Sequence, residues 1–303
     1  MKKSLFALTT VLAAILVAPA AHAQGTDSLA KIKAAGKVVI GTRDSSAPLA
    51  YTTGDGKYTG YHVEICNRVV DAIKTELKAP SLATEYALVT SQNRIPLVVN
   101  GTVDLECGST TNSKARQAQV AFAPTTYVTN VRIAVKANSG INSIADLKGK
   151  KVATTTGTTS VQLLRKHERA TGVNFDEVFG KDHADSFLLL DSGRADAFVM
   201  DDNILAGNII NAKTPADFRI VGETLSEEPI AIMYRKDDAG FKKVVDAAVV
   251  AMMKSGEIDK IYSKWFLGPI PPRNATVNMA MTAALKNAIA NPNDKPADDY
   301  VKK

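Results

Sequence analysis

Residues 151–171 read KVATTTGTTSVQLLRKHERAT, a strand-like run followed by a hydroxyl-rich turn and a helical pattern. The run from Lys151 to Thr155 predicts a strand, and the stretch from Thr159 to Thr171 predicts a helix. A strand joined to a helix by a short turn is the repeating unit of α/β proteins. This stretch therefore predicts an α/β fold with a hydroxyl-rich turn at the end of a strand.

The same alternation of strand-like runs and helical patterns continues on both sides of this stretch, which favours mainly parallel sheets flanked by helices. It forms two series, and two series predict two lobes. The predicted strands are 37–42, 84–89, 103–107, 151–155 and 195–200, and the predicted helices are 60–78, 92–100, 159–171, 186–194 and 204–212.

Two stretches lack strong turn signals, and we expect them to be two extended hinge strands that join the lobes. Tyr127 to Val135 would leave lobe one, and Pro229 to Tyr234 would return to it. The predicted boundaries are a signal peptide at 1–23, the first part of lobe one at 24–130, lobe two at 131–228, the return segment of lobe one at 229–272 and a C-terminal extension at 273–303.

Beyond the second hinge, apolar residues from Phe241 to Trp265 recur at helical spacing with a break at Ser255-Gly256, which predicts two packed helices. The prolines of 269–272 end that packing, because proline cannot continue a helix. A short helix is expected within 276–290. The C-terminal extension is expected to pack on lobe one or to be frayed, and its end, 291–303, looks frayed.

Size and composition are those of an ordinary globular protein. A chain of 303 residues is expected to hold two compact units. Charged residues make up 22% and hydrophobic residues 45%, enough to bury a large core. The formal charge of +6 is spread along the chain without a basic stripe, so no nucleic-acid partner is expected.

The first residues have the pattern of an export signal. Lys2 and Lys3 precede an apolar run from Leu5 to Ala18, and Ala21-His22-Ala23 resembles a signal peptidase site. The run is too short to cross a bilayer. We expect cleavage before Gln24 and a mature protein in a bacterial periplasm, the alternative being an uncleaved anchor.

The two cysteines fit that compartment. Cys66 lies on the apolar face of a predicted helix, and Cys107 ends a predicted strand. Oxidising surroundings favour a disulfide between them over two buried thiols.

Sequence signatures of enzymes are missing. The chain contains no GxSxG, HExxH, GxxxxGK[ST] or CxxC motif, and no GxGxxG follows a predicted strand. Its four histidines, at 22, 62, 167 and 183, lack metal-ligand spacing. No catalytic residue, metal or cofactor is expected.

Two hydroxyl-rich turns do follow predicted strands, at 108–111 in lobe one and 154–160 in lobe two. At such a turn, free backbone N–H groups and the helix dipole favour an anion. Plain helix capping is the alternative for either turn alone. One turn in each lobe favours a ligand site instead, because open α/β sheets bind ligands where their strands end.

Charged residues stand at the same junctions. Arg43, Arg94 and Arg116 each lie between a strand and a helix, and guanidinium groups match carboxylates in pairs of hydrogen bonds. Asp201 ends a strand and is a candidate acceptor for an ammonium group, although a helix cap is the alternative and fits Asp202 better. His183 precedes a predicted helix and would either donate to an anion or cap that helix.

At these residues the sequence resembles the periplasmic amino-acid-binding proteins of ABC importers, solute-binding family 3. The resemblance covers nearly the whole mature chain. The stretches that carry it are Thr90-Ser91-Gln92-Asn93-Arg94-Ile95-Pro96-Leu97, Glu106-Cys107-Gly108-Ser109-Thr110-Thr111-Asn112, Lys181-Asp182-His183, Met200-Asp201-Asp202, Lys264-Trp265-Phe266 and Pro269-Ile270-Pro271-Pro272.

The resemblance implies a two-lobed periplasmic-binding-protein type II fold and a role for nine residues. Arg116 and Thr159 would hold the α-carboxylate of an amino acid. Its ammonium group would be held by Ser109, Thr111 and Asp201. The glutamate/aspartate branch of the family adds a site for the side-chain carboxylate, which falls here on Arg43, Ser91, Arg94 and His183. Cys66 departs from the family pattern, because members of the family often have no cysteine at this position.

The expected activity is transport. The resemblance implies a monomer that closes over glutamate or aspartate by hinge motion and delivers it to an inner-membrane ABC permease. Three arginines against Asp201 give the expected site a charge of about +2, which complements a ligand of charge −1. Two alternatives are a cyclohexadienyl dehydratase-like enzyme, for which Glu64 and Glu106 are the only acids near the predicted site, and a ligand-sensing receptor module.

Overall fold

The computed structural model describes residues 27–300, so the predicted signal peptide lies outside the described residues. In that range no helix is both long and apolar enough to span a membrane. The strands, in chain order, are β1 Lys37–Thr42, β2 Ser45–Ser46, β3 Ala50–Thr52, β4 Tyr58–Thr59, β5 Ala83–Leu88, β6 Leu105–Glu106, β7 Val120–Phe122, β8 Tyr127–Lys136, β9 Lys151–Thr155, β10 Asp176–Gly180, β11 Ala197–Asp201, β12 Phe218–Ile230 and β13 Met233–Arg235.

The helices alternate with these strands as the sequence predicts. They are α1 Ser28–Ala35, α2 Tyr61–Glu76, α3 Arg94–Val99, α4 Lys114–Gln117, α5 Thr159–Thr171, α6 His183–Asp191, α7 Asp202–Ile210, α8 Ala239–Ser255, α9 Glu257–Tyr262 and α10 Ala283–Ala290. Gly256, which has a φ of 73°, separates α8 from α9. A left-handed residue ends a helix readily when it is glycine, so the break predicted at Ser255-Gly256 is confirmed.

Two five-stranded sheets form the centres of the two lobes. Sheet one has the order β5-β1-β6-β13-β7, and sheet two has the order β10-β9-β11-β8-β12. In each sheet one strand, β13 or β8, runs antiparallel to its neighbours, and the remaining strands share one direction. The prediction of an α/β fold with two mainly parallel sheets is confirmed. A small antiparallel sheet, β2-β3-β4, was not predicted.

The two hinge strands β8 and β12 pair with each other in antiparallel register. The pairing extends from Tyr127 opposite Ile230 to Lys136 opposite Phe218, with a register shift between Val221 and Ser226. The second hinge strand therefore begins eleven residues before the predicted Pro229. Its polar residues and Gly222 hide the strand from a search for apolar runs, because this strand lies at the edge of sheet two.

The hinge strands meet an aromatic cluster of lobe one. Tyr127 at the start of β8 stacks on Phe266 with ring centroids 4.9 Å apart, and Phe266 stacks on Tyr262 at 4.4 Å. These rings are buried in the largest apolar core, together with α2 and α8 side chains. The cluster holds the lobe-one ends of the hinge in place by burying large apolar surfaces.

A disulfide joins Cys66 on α2 to Cys107 at the end of β6, as predicted. It closes a separation of 41 residues, for which the chain-entropy account gives about 4 kcal/mol of stabilisation. Because Cys107 directly precedes the hydroxyl-rich turn at 108–111, the bridge also fixes the start of that turn to the core of lobe one.

Candidate ligand-binding site between the lobes

The predicted ligand residues follow the ends of strands on facing edges of the two sheets. Seven of them line one small cavity, together with Thr158 and Met200. The other two, Arg43 and Arg116, are hydrogen-bonded to Ser109 and Thr111 of that set. The structure thus brings all nine together. The seven residues are Ser91, Arg94, Ser109, Thr111, Thr159, His183 and Asp201.

Arg43 follows β1 and is fully buried. Its Nη1 donates to Ser109 Oγ at 3.2 Å, while Nε and Nη2 have no hydrogen-bond partner among the described residues. Burial, assisted by repulsion from Arg94, lowers the pKa of Arg43 to about 10. The guanidinium group is therefore still charged at neutral pH and has two donors to offer.

Arg94 opens α3 and is also buried, with Nε and Nη1 unpaired in the described part of the chain. Burial lowers its pKa, and Glu106, Asp201 and Glu228 act in the opposite direction. Ser91 Oγ and His183 Nε2 are likewise buried without a described partner. The four residues assigned to a side-chain carboxylate thus all carry unsatisfied polar atoms, which is uncommon for buried groups.

His183 is the first residue of α6 and does not cap it. The cap is Asp182, whose Oδ1 accepts from Asp185 N at 3.0 Å. His183 Nδ1 lies 3.0 Å from Thr155 Oγ1, which leaves Nε2 as the ring nitrogen available to a ligand. Burial and the charges of Arg43 and Arg94 hold the pKa of His183 well below 6.5, so the imidazole is neutral.

Arg116 lies on α4, the single helical turn that follows the hydroxyl-rich turn of lobe one. Ser113 caps this turn, and Arg116 Nη1 donates to Thr111 O at 2.8 Å. Burial, followed by repulsion from Arg94, lowers the pKa of Arg116 to about 9. The guanidinium group is charged at neutral pH and is held next to Thr111.

Asp201 ends β11 and stands before the first residue of α7, but its side chain makes no capping bond. Asp202 instead accepts from Asn203 N at 2.8 Å and from Thr129 Oγ1 at 3.0 Å, so of the two aspartates Asp202 is the one bonded within the fold. Burial raises the pKa of Asp201 well above 3.8, and Glu228 raises it further. A cation beside this carboxyl group would favour its ionised form.

Two buried carboxylates near the site correct the charge derived from the sequence. Glu106 Oε2 accepts from Thr110 Oγ1 at 2.6 Å, and its Oε1 has no described partner. Glu228 on β12 is 4% exposed. With Arg43, Arg94 and Arg116 against Asp201, Glu106 and Glu228, the formal charge is zero when all six groups are ionised. The expected +2 left out these two carboxyl groups.

Glu228 also joins the two lobes. Its Oε2 accepts from Thr111 Oγ1 of lobe one at 2.6 Å and from Thr159 Oγ1 of lobe two at 2.8 Å. Because the Thr159 hydroxyl is engaged in this way, the donor that Thr159 has left to offer is its backbone N–H at the start of α5, where helices leave N–H groups without intrahelical partners. The sequence placed Glu228 only beside a hinge, which gave no sign of this role.

The lobes touch at two glycines. A Cβ atom at Gly207 of α7 would overlap the backbone carbonyl of Ala47 in lobe one. A Cβ atom at Gly157, between β9 and α5, would lie 2.9 Å from the backbone of Ser91 and Gln92. The structure is therefore a closed arrangement in which backbone from one lobe packs directly on the other.

Metal ligation has no support in residues 27–300: no group of three or more histidine, cysteine, aspartate or glutamate side chains is placed to hold a metal ion. The charged groups of the cavity are guanidinium groups and carboxylates bonded to hydroxyls. Their chemistry is that of a site for a small ligand with both anionic and cationic groups.

Known proteins resemble this chain over most of its length. Residues 38–268 match the bacterial extracellular solute-binding proteins, family 3. The L-glutamate/L-aspartate-binding protein of Pseudomonas aeruginosa is 46% identical over 291 residues, covering 96% of each chain. The glutamate/aspartate import solute-binding protein of Escherichia coli K12 is 44% identical over 276 residues, covering 91% of each.

Solved structures with the same fold include other amino-acid receptors. An ancestral arginine-binding protein bound to glutamine is 30% identical with a TM-score of 0.68, covering 76% of this chain and 98% of its own. The cysteine-binding protein from Campylobacter jejuni is 25% identical with a TM-score of 0.70, covering 79% of this chain and 93% of its own. The two-lobed arrangement is the periplasmic-binding-protein type II fold. The chain belongs to the bacterial extracellular solute-binding proteins, family 3.

Proposed function

We propose that this chain is a periplasmic solute-binding protein that captures glutamate or aspartate and delivers it to an ABC-type amino-acid permease. The observation that carries the proposal is the set of unpaired buried nitrogen atoms on Arg43, Arg94 and His183. Unpaired buried donors cost free energy, and a carboxylate would satisfy several of them at once. The relatives named for glutamate and aspartate import support this ligand class.

In the proposed complex each charged group of the ligand has its own partners. Arg116 and the backbone N–H of Thr159 bind the α-carboxylate. Asp201, Ser109 and Thr111 receive the ammonium group, and because the Thr111 hydroxyl donates to Glu228, its oxygen is left to accept. The side-chain carboxylate lies against the unpaired donors, which belong to Arg43, Ser91, Arg94 and His183.

Selectivity for an acidic ligand then rests on where the charged groups lie, since three carboxyl groups stand near the three arginines. A glutamine side chain would turn an NH₂ group toward donors of Arg43 and Arg94, so some of these guanidinium donors would remain unpaired. Sites built around buried polar groups discriminate strongly against ligands that leave them unpaired. Glutamate and aspartate differ by one methylene, worth about 1 kcal/mol or slightly more, and both are proposed ligands.

Binding proceeds by closure of the two lobes about β8 and β12. Thr159, His183 and Asp201 belong to lobe two, so they reach a ligand held by lobe one only in the closed form. A ligand that contacts these residues only in the closed form shifts the population toward that form. The closed protein, acting as a monomer in the periplasm, is what an inner-membrane permease would recognise.

The lobes are assigned the boundaries expected from the sequence. Lobe one comprises 24–130 and the return segment 229–272, lobe two comprises 131–228, and the extension begins at 273. The cleavable leader before Gln24 is proposed to direct the chain to the periplasm.

An enzymatic role is not part of the proposal. A dehydratase would need a general acid aimed at a leaving hydroxyl. Glu64 on α2 accepts from Lys264 Nζ at 2.7 Å and from Trp265 Nε1 at 2.8 Å. Glu106 is bonded to Thr110 within the fold. Neither acid is among the residues that line the cavity.

A thermal-shift screen of the twenty amino acids with purified mature protein tests the proposed ligand class. We expect glutamate and aspartate to raise the melting temperature, since a ligand bound only by the native state stabilises it by mass action. Glutamine and asparagine at the same concentration should produce much smaller shifts. A screen in which only neutral or basic amino acids raise the melting temperature would contradict the proposal.

The dependence of glutamate affinity on pH tests whether His183 binds the ligand as an uncharged imidazole. Because burial and the charges of Arg43 and Arg94 hold the pKa of His183 well below 6.5, its imidazole stays neutral as the pH falls from 8 through 6.5, so its bond to the ligand carboxylate should not strengthen over this range. The ratio of the glutamate Kd of His183→Gln to that of the parent, measured by calorimetry, should therefore stay constant over this range. A ratio that increases as the pH falls through 6.5 would show that an imidazolium binds the ligand.

A further inference from the structure

The C-terminal strap, residues 293–299, lies against the part of lobe one that carries the predicted ligand residues. Thr125 N donates to Asn293 O at 2.9 Å, and Ala297 N donates to Asn112 O at 2.8 Å. Lys114 N, at the start of α4, donates to Asp298 Oδ2 at 2.9 Å. The predicted frayed end at 291–303 is therefore wrong for these residues, which are bonded to lobe one through their backbone.

Asn112 is the residue through which the strap reaches the site. It is fully buried and directly follows Thr111. Its Nδ2 donates to Asp294 O at 2.9 Å, and its Oδ1 accepts from Gln117 Nε2 at 2.9 Å. Its backbone N donates to Pro229 O at 2.8 Å, next to Glu228 on the second hinge strand. One buried side chain thus links the strap to α4 and stands beside the hinge.

Helix α4 needs such support because it has only four residues. A single helical turn is not stable by itself, since the cost of nucleation is not repaid by further turns. Gln117 Nε2 also donates to Asp294 O at 2.9 Å, and Lys114 Nζ lies 3.0 Å from Asp299 Oδ1. The strap therefore supports the first and last residues of the turn on which Arg116 stands.

We propose that the C-terminal strap is a positioning element for the ligand site, holding Thr111 and Arg116 in binding geometry through Asn112 and α4. The strap lies beyond residue 268, where the match to the family ends. The expected effect of the strap on glutamate affinity rests on the proposed function. The expected effect of the strap on how rigidly residues 109–118 are held does not. Groups held by packing and hydrogen bonds bind more tightly than groups that must be ordered on binding.

Two variants test the strap in the otherwise complete mature chain. The first ends after Pro292. The second, Ala297→Pro, removes only the N–H that donates to Asn112, at the first residue of a helical turn where proline is tolerated. The matched control is Ala283→Pro, the same change at the first residue of α10, which has no bond to the site.

We expect truncation to raise the Kd for glutamate at least about tenfold and Ala297→Pro to raise it about three- to tenfold, the cost of one hydrogen bond. Ala283→Pro should bind like the parent. Hydrogen exchange measured by mass spectrometry should be faster in residues 109–118 of both strap variants, with lobe two unchanged. By reciprocity, glutamate should slow exchange in the strap of the parent.

The outcomes separate this inference from the proposed function. If the parent binds glutamate and both strap variants match it within twofold, the strap does not position the site. If the parent binds no acidic amino acid, the proposed function fails. Hydrogen exchange in residues 109–118, measured without ligand, then still tests the role of the strap. An exchange rate that is unchanged in both variants overturns that role. If the truncated chain does not fold, Ala297→Pro provides the result.

Discussion

Arg116→Ala is expected to weaken glutamate binding at least about a thousandfold, because it leaves the ligand α-carboxylate buried without a cationic partner. Removing one member of a buried charged pair costs about 2 to 5 kcal/mol or more, and a thousandfold corresponds to about 4 kcal/mol. Arg116 is buried beside Thr111, so water cannot easily replace the lost guanidinium group. Isothermal titration calorimetry of the variant should show no heat at ligand concentrations that saturate the parent.

The matched control is Arg165→Ala, which removes an exposed arginine paired with Glu177 on lobe two. Exposed ion pairs contribute little, so this variant should bind glutamate like the parent. Circular dichroism and thermal melting should show that both variants are folded. A Kd for Arg116→Ala within tenfold of the parent would mean that the α-carboxylate lies elsewhere.

Gly207→Ala is expected to prevent full closure of the lobes and to weaken glutamate binding at least about a hundredfold. The added methyl group would overlap the carbonyl of Ala47, an atom of the opposite lobe that a side-chain rotation cannot move. The open form has no such contact, so the variant should fold normally. Small-angle X-ray scattering should show that saturating glutamate no longer reduces the radius of gyration.

Gly240→Ala provides the control for this substitution. Gly240 also lies in a helix, but the nearest atom to an added Cβ is 3.8 Å away, so alanine fits. This variant should bind like the parent and be slightly more stable, because alanine favours the helix over glycine. Tight binding and normal compaction by Gly207→Ala would show that the closed contact at Ala47 is not needed for capture.

Much of the fold follows from local patterns that remain valid in the folded chain. Strand β1, strand β9 and helix α5 occupy the ranges that the sequence predicts. Strand β1 alternates half-buried and buried positions at its start, strand β9 is a short run buried from Val152 to Thr155, and helix α5 buries Ser160 and Leu164 one turn apart. Strand β12 was largely missed because residues 222–228 of this edge strand are polar except for Gly222 and Leu225.

The sequence predicted the candidate site from its hydroxyl-rich turns and its arginines. It did not predict the two additional carboxylates, Glu106 and Glu228, that lie near these arginines. Arg43, Arg94 and Arg116 stand at junctions between strands and helices, where α/β folds gather ligand residues. Glu106 lies inside a strand and bonds to Thr110 four residues further along, a contact that no apolar pattern marks. Glu228 lies inside a hinge strand, and only the assembled lobes bring its carboxylate to both Thr111 and Thr159. Contacts between lobes leave no local pattern.

The same limit applies to the C-terminal end. Residues 291–300 have a polar composition, which is typical of a frayed terminus. Their stability comes from backbone bonds to Asn112 and Thr125, more than 160 residues earlier in the chain. Such bonds depend on backbone groups that every residue has, so no residue type marks them in advance.

The central claim is that Arg43 and Arg94, with the neutral His183, select a ligand carrying a second carboxylate. The most direct measurement is calorimetric titration of the purified mature protein with glutamate and, under identical conditions, with glutamine. We predict a Kd for glutamate that is lower than that for glutamine by at least about a hundredfold, since glutamine leaves buried guanidinium donors unpaired. Equal affinities, or tighter binding of glutamine, would contradict this account of the site.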